Sequence, residues 1–96
     1  LFKEELIMEA VFTRFDNEDN WVQGECGGFS FDAKLYNNPS RFGIDGGRIS
    51  KLCIQNQYGM MANWDRGWDI EPSEEFMEEY EAIVDLLENS DVRDFG

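Results

Sequence analysis

The chain has 96 residues, 42% of them hydrophobic, and sets 21 acidic against eight basic side chains for a formal charge of −13. This length holds one domain with a modest core, and an aromatic content of 15% separates the chain from disordered acidic tails. No run approaches the roughly 20 apolar residues that cross a bilayer, and the absence of histidine excludes serine triads and His-based zinc sites.

In chain order, residues 6–15 read as a strand, because their apolar side chains scatter around a helical wheel. Asp16-Asn17-Glu18-Asp19-Asn20 then forms a loop. Gly27-Gly28 separates two strand-like runs, 21–26 and 29–36, and supplies the positive φ angles of a tight hairpin turn. In the second run Phe29, Phe31, Ala33 and Leu35 alternate with polar partners, which predicts one dry face. Asn37-Asn38-Pro39-Ser40 breaks the strand and Asp45-Gly46-Gly47 marks a turn. A third strand of this sheet spans 48–55, with Ile49, Leu52, Cys53 and Ile54 as its apolar residues. Asn56-Gln57-Tyr58-Gly59 is a hairpin loop. The next strand, 60–64, places Met60, Ala62 and Trp64 on one face, and Asp65-Arg66-Gly67-Trp68 bends out of it.

Ser73, after Pro72, is placed to cap a helix whose first turn carries Glu74 and Glu75. Phe76, Met77, Tyr80, Ile83, Val84 and Leu87 follow at helical spacing, an apolar stripe made to lie on a sheet. Asn89 or Ser90 ends the helix and the last residues fray. The expected fold is α+β, an antiparallel sheet of four to five strands with one amphipathic C-terminal helix packed on one face. It is a single domain over 1–96, divided into an N-terminal strand or extension (1–19), a sheet (20–70) and an acidic helix (73–89).

The charge is unevenly spread. Residues 21–68 carry +1, whereas residues 69–96 hold eleven acids and one base, so a nearly neutral sheet precedes an acidic helix. Glu74, Glu75, Glu78, Glu79, Glu81, Asp85 and Glu88 give that helix about one charge per 3.6 Å of its length. Each strand of duplex DNA carries a phosphate per ~3.4 Å, so the helix is fitted to imitate a phosphate row. An ordinary solvated face would also be acidic, but like charges four residues apart weaken a helix, and such a face is more often salted with Lys.

Chemistry is poorly served. No catalytic, cofactor or metal residues are assigned. Asp65 with Asp69, or Asp32 with Asp45, are the carboxylate pairs that a metal-dependent enzyme could use, although their spacing is not diagnostic. Asp16-Asn17-Glu18-Asp19-Asn20 is no calcium loop, because Trp21 and Gly27 stand where that loop needs glycine and glutamate. Cys26 and Cys53 are too few for a disulfide framework, and fit a reducing compartment. There is no basic-then-apolar start, so no secretory leader is expected.

Two runs carry a resemblance: Phe42-Gly43-Ile44-Asp45-Gly46-Gly47-Arg48-Ile49-Ser50-Lys51-Leu52 and Asn63-Trp64-Asp65-Arg66-Gly67-Trp68-Asp69-Ile70-Glu71-Pro72. Together they resemble a small uncharacterised domain family of bacteriophages and mobile elements, mostly in Gram-positive bacteria, over roughly residues 20–88. The family lends no catalytic residues. The resemblance implies a setting in which small acidic phage proteins antagonise host defence, anti-CRISPR and anti-restriction proteins among them.

The expectation is therefore a non-enzymatic inhibitor of a host nucleic-acid-targeting defence enzyme, acting in the bacterial cytoplasm by nucleic-acid mimicry. Glu74, Glu75, Glu78, Glu81, Asp85 and Glu88 face a partner protein with a basic surface, such as a CRISPR nuclease, while Arg66 and Trp68 anchor the contact. Membrane and direct nucleic-acid binding are not expected, and a homodimer stays open. The alternative is a phage accessory or adaptor protein that binds through aromatic or sheet-edge contacts. A carboxylate-based metal enzyme is the remote third reading.

Overall fold

Alternating side chains organise the sheet. In the computed structural model, which describes residues 9–16 and 19–90, the strands are β1 (Ala10–Asp16), β2 (Trp21–Cys26), β3 (Phe29–Leu35), β4 (Ile49–Asn56), β5 (Gly59–Asp65) and β6 (Trp68–Ile70). They form one six-stranded sheet in chain order, each antiparallel to the next. Of the expected N-terminal strand, residues 6–8 lie outside the described residues, as do residues 17 and 18 of the following loop and the fraying expected over 91–96.

The architecture is α+β as expected, but six strands replace the four to five predicted. The extra strand comes from the segment expected to bend away. Arg66 at φ 60° and Gly67 at φ 157° reverse the chain at once. The Asp65 N–H donates to the Gly67 carbonyl at 2.9 Å, and Trp68–Ile70 returns along β5. Arginine has no preference for the left-handed region, so its residue type gave no sign of the turn. The β2–β3 turn holds too, although only Gly27 of the glycine pair has a positive φ, 62°.

Cross-strand pairing sorts side chains into two faces. The row Val22, Ala33, Leu52, Trp64, Trp68 and the row Gly24, Phe31, Ile54, Ala62 share one face. That face holds the core, which Ile44, Ile49, Phe76, Ile83 and Leu87 complete. Bulges adjust the registers. In the β4–β5 ladder Ile54 pairs with Ala62 but Gln55 pairs with Met60, so Met61 is the extra residue. Met60 therefore leaves the face it was expected to share with Ala62 and Trp64, and is 49% exposed, while Met61 packs against the core.

The helix α1 (Met77–Asn89) follows a single 3-10 turn, Glu74–Phe76. Ser73 occupies the N-cap position but its side chain makes no capping hydrogen bond; the turn is closed instead by the Phe76 N–H donating to the Ser73 carbonyl at 3.3 Å. The apolar stripe falls where its spacing places it, with Phe76, Ile83 and Leu87 buried and Met77, Tyr80 and Val84 half-buried. Phe76 stacks on Phe29 at 5.0 Å, and Tyr80 meets Trp68 at 5.8 Å.

Candidate binding surfaces

Burial of one helical stripe fixes what the opposite side shows. At ~100° per residue, Glu78, Glu81 and Asp85 fall within about 60° of one another, diametrically away from Ile83 and Leu87. All three are exposed, as are Glu74 and Glu75 in the preceding turn. Asp85 accepts a hydrogen bond from the Asn89 side-chain amide at 3.0 Å. These five carboxylates form an outward ridge on the covered side of the sheet.

Glu88 does something else. Its two carboxylate oxygens accept the Arg48 backbone N–H at 3.0 and 3.1 Å, and they fill the space a side chain on Gly47 would need, 2.3 Å from an ideal Cβ. The Arg48 guanidinium reaches the end of the same helix. Nε donates to the Tyr36 carbonyl at 3.1 Å, and the terminal nitrogen to the carbonyls of Glu88 (3.4 Å) and Ser90. A cation thus satisfies orphan carbonyls at the negative end of the helix dipole. Ser90 adds its hydroxyl to the Leu87 carbonyl at 2.9 Å. Gly47 and Arg48 belong to the first of the two sequence motifs, and their contacts bind helix to sheet.

The second motif builds the β5–β6 hairpin. Trp64 and Trp68 meet edge to face at 5.1 Å, Asn63 donates to Asp69 at 3.0 Å, and Arg66 stands exposed at the turn. Trp68 is half-buried, with its ring held between Trp64 and Tyr80. The structure thus separates the two expected anchor residues, Arg66 outside and Trp68 within the helix–sheet junction.

Among the described residues, no helix covers the other face of the sheet. Its rows read Asp16, Trp21, Lys34, Lys51, Asp65 and Arg14, Gln23, Asp32, Cys53, Asn63. Gln23 donates to Asp32 at 2.6 Å. The sequence points to this face only through Asp32 and Asp65, each half of a candidate carboxylate pair, and not as a surface, although the alternation that marks Ala33 and Leu35 as core also marks Lys34 as its opposite. Cys53 lies on it and Cys26 on the core face, so the two free thiols are on opposite sides of the sheet. Burial pushes both above the usual thiol range, with Glu79 adding to the rise at Cys26 and Asp32 at Cys53. Among the described residues no group of three or more Cys, Asp or Glu side chains could hold a metal ion, and no helix is long and apolar enough to cross a membrane.

A model of a domain of unknown function, DUF7678, matches residues 20–88. The chain belongs to this family. No curated protein and no solved structure matches it. The DUF7678 match runs from Asn20, just before β2, to Glu88, the residue that meets Arg48. It takes in both motifs and leaves β1 outside, so in this chain an additional strand flanks the DUF7678 sheet.

Proposed function

We propose that the protein is a non-catalytic binding module whose acidic helix ridge engages a basic, nucleic-acid-gripping surface of a partner protein. The observation that carries this reading is the outward ridge of Glu74, Glu75, Glu78, Glu81 and Asp85. It spreads five carboxylates at a mean interval of ~4 Å along the helix, comparable to the ~3.4 Å phosphate rise of one nucleic-acid strand. A rigid backing supports the same reading: the stripe beneath is buried and Arg48 fixes the far end, so little order must be gained on docking. The resemblance to phage-encoded proteins makes a defence nuclease of the host, such as an RNA-guided nuclease, the partner class to test first. Inhibition then follows by occupation of its Lys- and Arg-lined channel.

The experiment is calorimetric titration of a panel of purified RNA-guided nucleases and restriction enzymes with the wild type and with a Glu78→Gln, Glu81→Gln, Asp85→Gln variant. Wild-type binding should weaken with salt, and duplex nucleic acid should compete with it. The triple variant should bind at least tenfold more weakly. Equal binding by the two proteins would sink the mimicry.

A second reading, an adaptor that recruits a partner through an aromatic contact, is favoured by Tyr58. It sits on the β4–β5 turn and is 83% exposed. It predicts a salt-resistant complex that the triple variant retains and Tyr58→Ala loses.

A further inference from the structure

The β3–β4 ladder contains an arrangement that the fold alone does not require. Lys34 pairs with Lys51 and Leu35 pairs with Ile49, which leaves Ser50 as the extra residue of a bulge. Two lysines directly opposite each other on one face repel. Arg66, from the β5–β6 turn, completes a cleft of about 350 Å³ lined by Lys34, Leu35, Tyr36, Ser50, Lys51 and Arg66. No carboxylate lines it, in a chain of net charge −13. Among the described residues, none of the three cationic side chains has a hydrogen-bond or ion-pair partner. Ser50 is the buried polar residue of the core region, 7% exposed, and its hydroxyl also lacks a partner among the described residues. Arg66 holds a left-handed φ of 60° that asparagine or glycine would adopt more readily.

We propose that this cleft binds a small phosphate monoester. A phosphate monoester carries about −1.5 to −2 near neutral pH and offers three acceptor oxygens. That matches three converging cations and a hydroxyl, whereas a single carboxylate leaves two cations uncompensated. The volume falls in the ordinary range for small-ligand sites. Trp21, the cross-strand neighbour of Lys34 on the same face, sets an aromatic surface beside the cleft for a planar group attached to the phosphate. A polymeric anion is disfavoured, because Asp16 and Asp65 close the two ends of the row and the net charge of the protein repels an extended polyanion. A small ligand inside one Debye length, about 8 Å at physiological salt, is governed by the nearest charges. The site lies on the sheet face opposite the acidic ridge and is independent of the partner reading.

The test is a backbone NMR titration of the full chain with inorganic phosphate, adenosine monophosphate, a 5′-phosphorylated oligonucleotide and, as control, acetate at matched ionic strength. The amides of Lys34, Leu35, Ser50, Lys51 and Arg66 should shift saturably with phosphate and with adenosine monophosphate, at dissociation constants of about 1 mM or below, and acetate should leave them unmoved. Lys34→Gln and Lys51→Gln should each weaken binding about tenfold, as loss of a charge-assisted bond does. Lys34→Gln removes the cross-strand repulsion, whereas Lys51→Gln also removes the attraction to Asp65 opposite it, so retention of the fold is read for each variant from unshifted amides away from the cleft. Arg66→Gly, which suits the turn, should weaken binding in the same way with the fold retained. The proposal is overturned by no saturable shift with phosphate, by acetate acting equally, by unchanged affinity in both lysine variants, or by an oligonucleotide that binds more tightly than adenosine monophosphate.

Discussion

Gly24 is where two strands and an aromatic ring meet most closely. An added Cβ would lie 2.3 Å from the Val11 carbonyl and 2.4 Å from the Phe31 ring. Gly24→Ala should therefore destabilise the protein by roughly 1–3 kcal/mol, the cost of overpacking, as read from urea titration; a variant as stable as the wild type would show that β1 yields. In the sequence this glycine looks like a weak spot in a strand, because nothing local reveals that Phe31 covers it. Tyr80 gives a second residue-scale expectation. Burial, then the charges of Asp45 and Glu81, push its hydroxyl up to about 12 from 10.0. The neutral ring is favoured in the folded state, so its contribution to stability is complete below pH 10.0 and is lost as pH rises from there toward about 12. Tyr80→Phe should flatten the fall in denaturation midpoint across that window. An unchanged fall would place the alkaline sensitivity elsewhere.

The elements were legible where periodicity alone decides them. The helix stripe from Phe76 to Leu87 and the alternation from Phe29 to Leu35 each follow from spacing, and each appears with the expected face buried. Bulges were not legible. The extra residues at the register shifts, Thr13, Ser50, Met61 and Asp69, share no sequence property that marks them, because a bulge answers to the fit between two strands. The same limit applied to the candidate site. The acidic residues were visible as composition, but the fixing of Glu88 by an arginine 40 positions earlier in the chain was not. This difference can be measured on the helix itself. The Glu78→Gln, Glu81→Gln, Asp85→Gln variant should melt at or slightly above the wild-type temperature, since repulsion between helical neighbours is relieved. Glu88→Gln should melt lower, because a neutral amide accepts the Arg48 N–H less strongly than a carboxylate. Equal melting of the two variants would remove the distinction between ridge and clasp.

For the whole molecule the dominant quantity is its charge. At −13 the compact state is opposed by self-repulsion, with a Debye length of ~30 Å at 0.01 M salt and ~8 Å at 0.15 M. The melting temperature should rise with sodium chloride across that range, and a fall would mean that attractive pairs outweigh the repulsion. The wiring of the sheet has a consequence in time as well. Every strand bonds to its successor in the chain, so four of the five pairings close loops of two to four residues and the β3–β4 pairing one of 13, whereas the join between Arg48 and the helix end spans 40 residues. Short closures are fast and long ones late. The hairpins should zip first, and the Arg48 clasp should close after the rate-limiting step. Arg48→Ala should then quicken unfolding while leaving the refolding rate nearly unchanged, in stopped-flow measurements of tryptophan fluorescence. The arginine in the turn-rich motif acts, on this view, as a latch on the lifetime of the folded state and has little say in how quickly that state is reached.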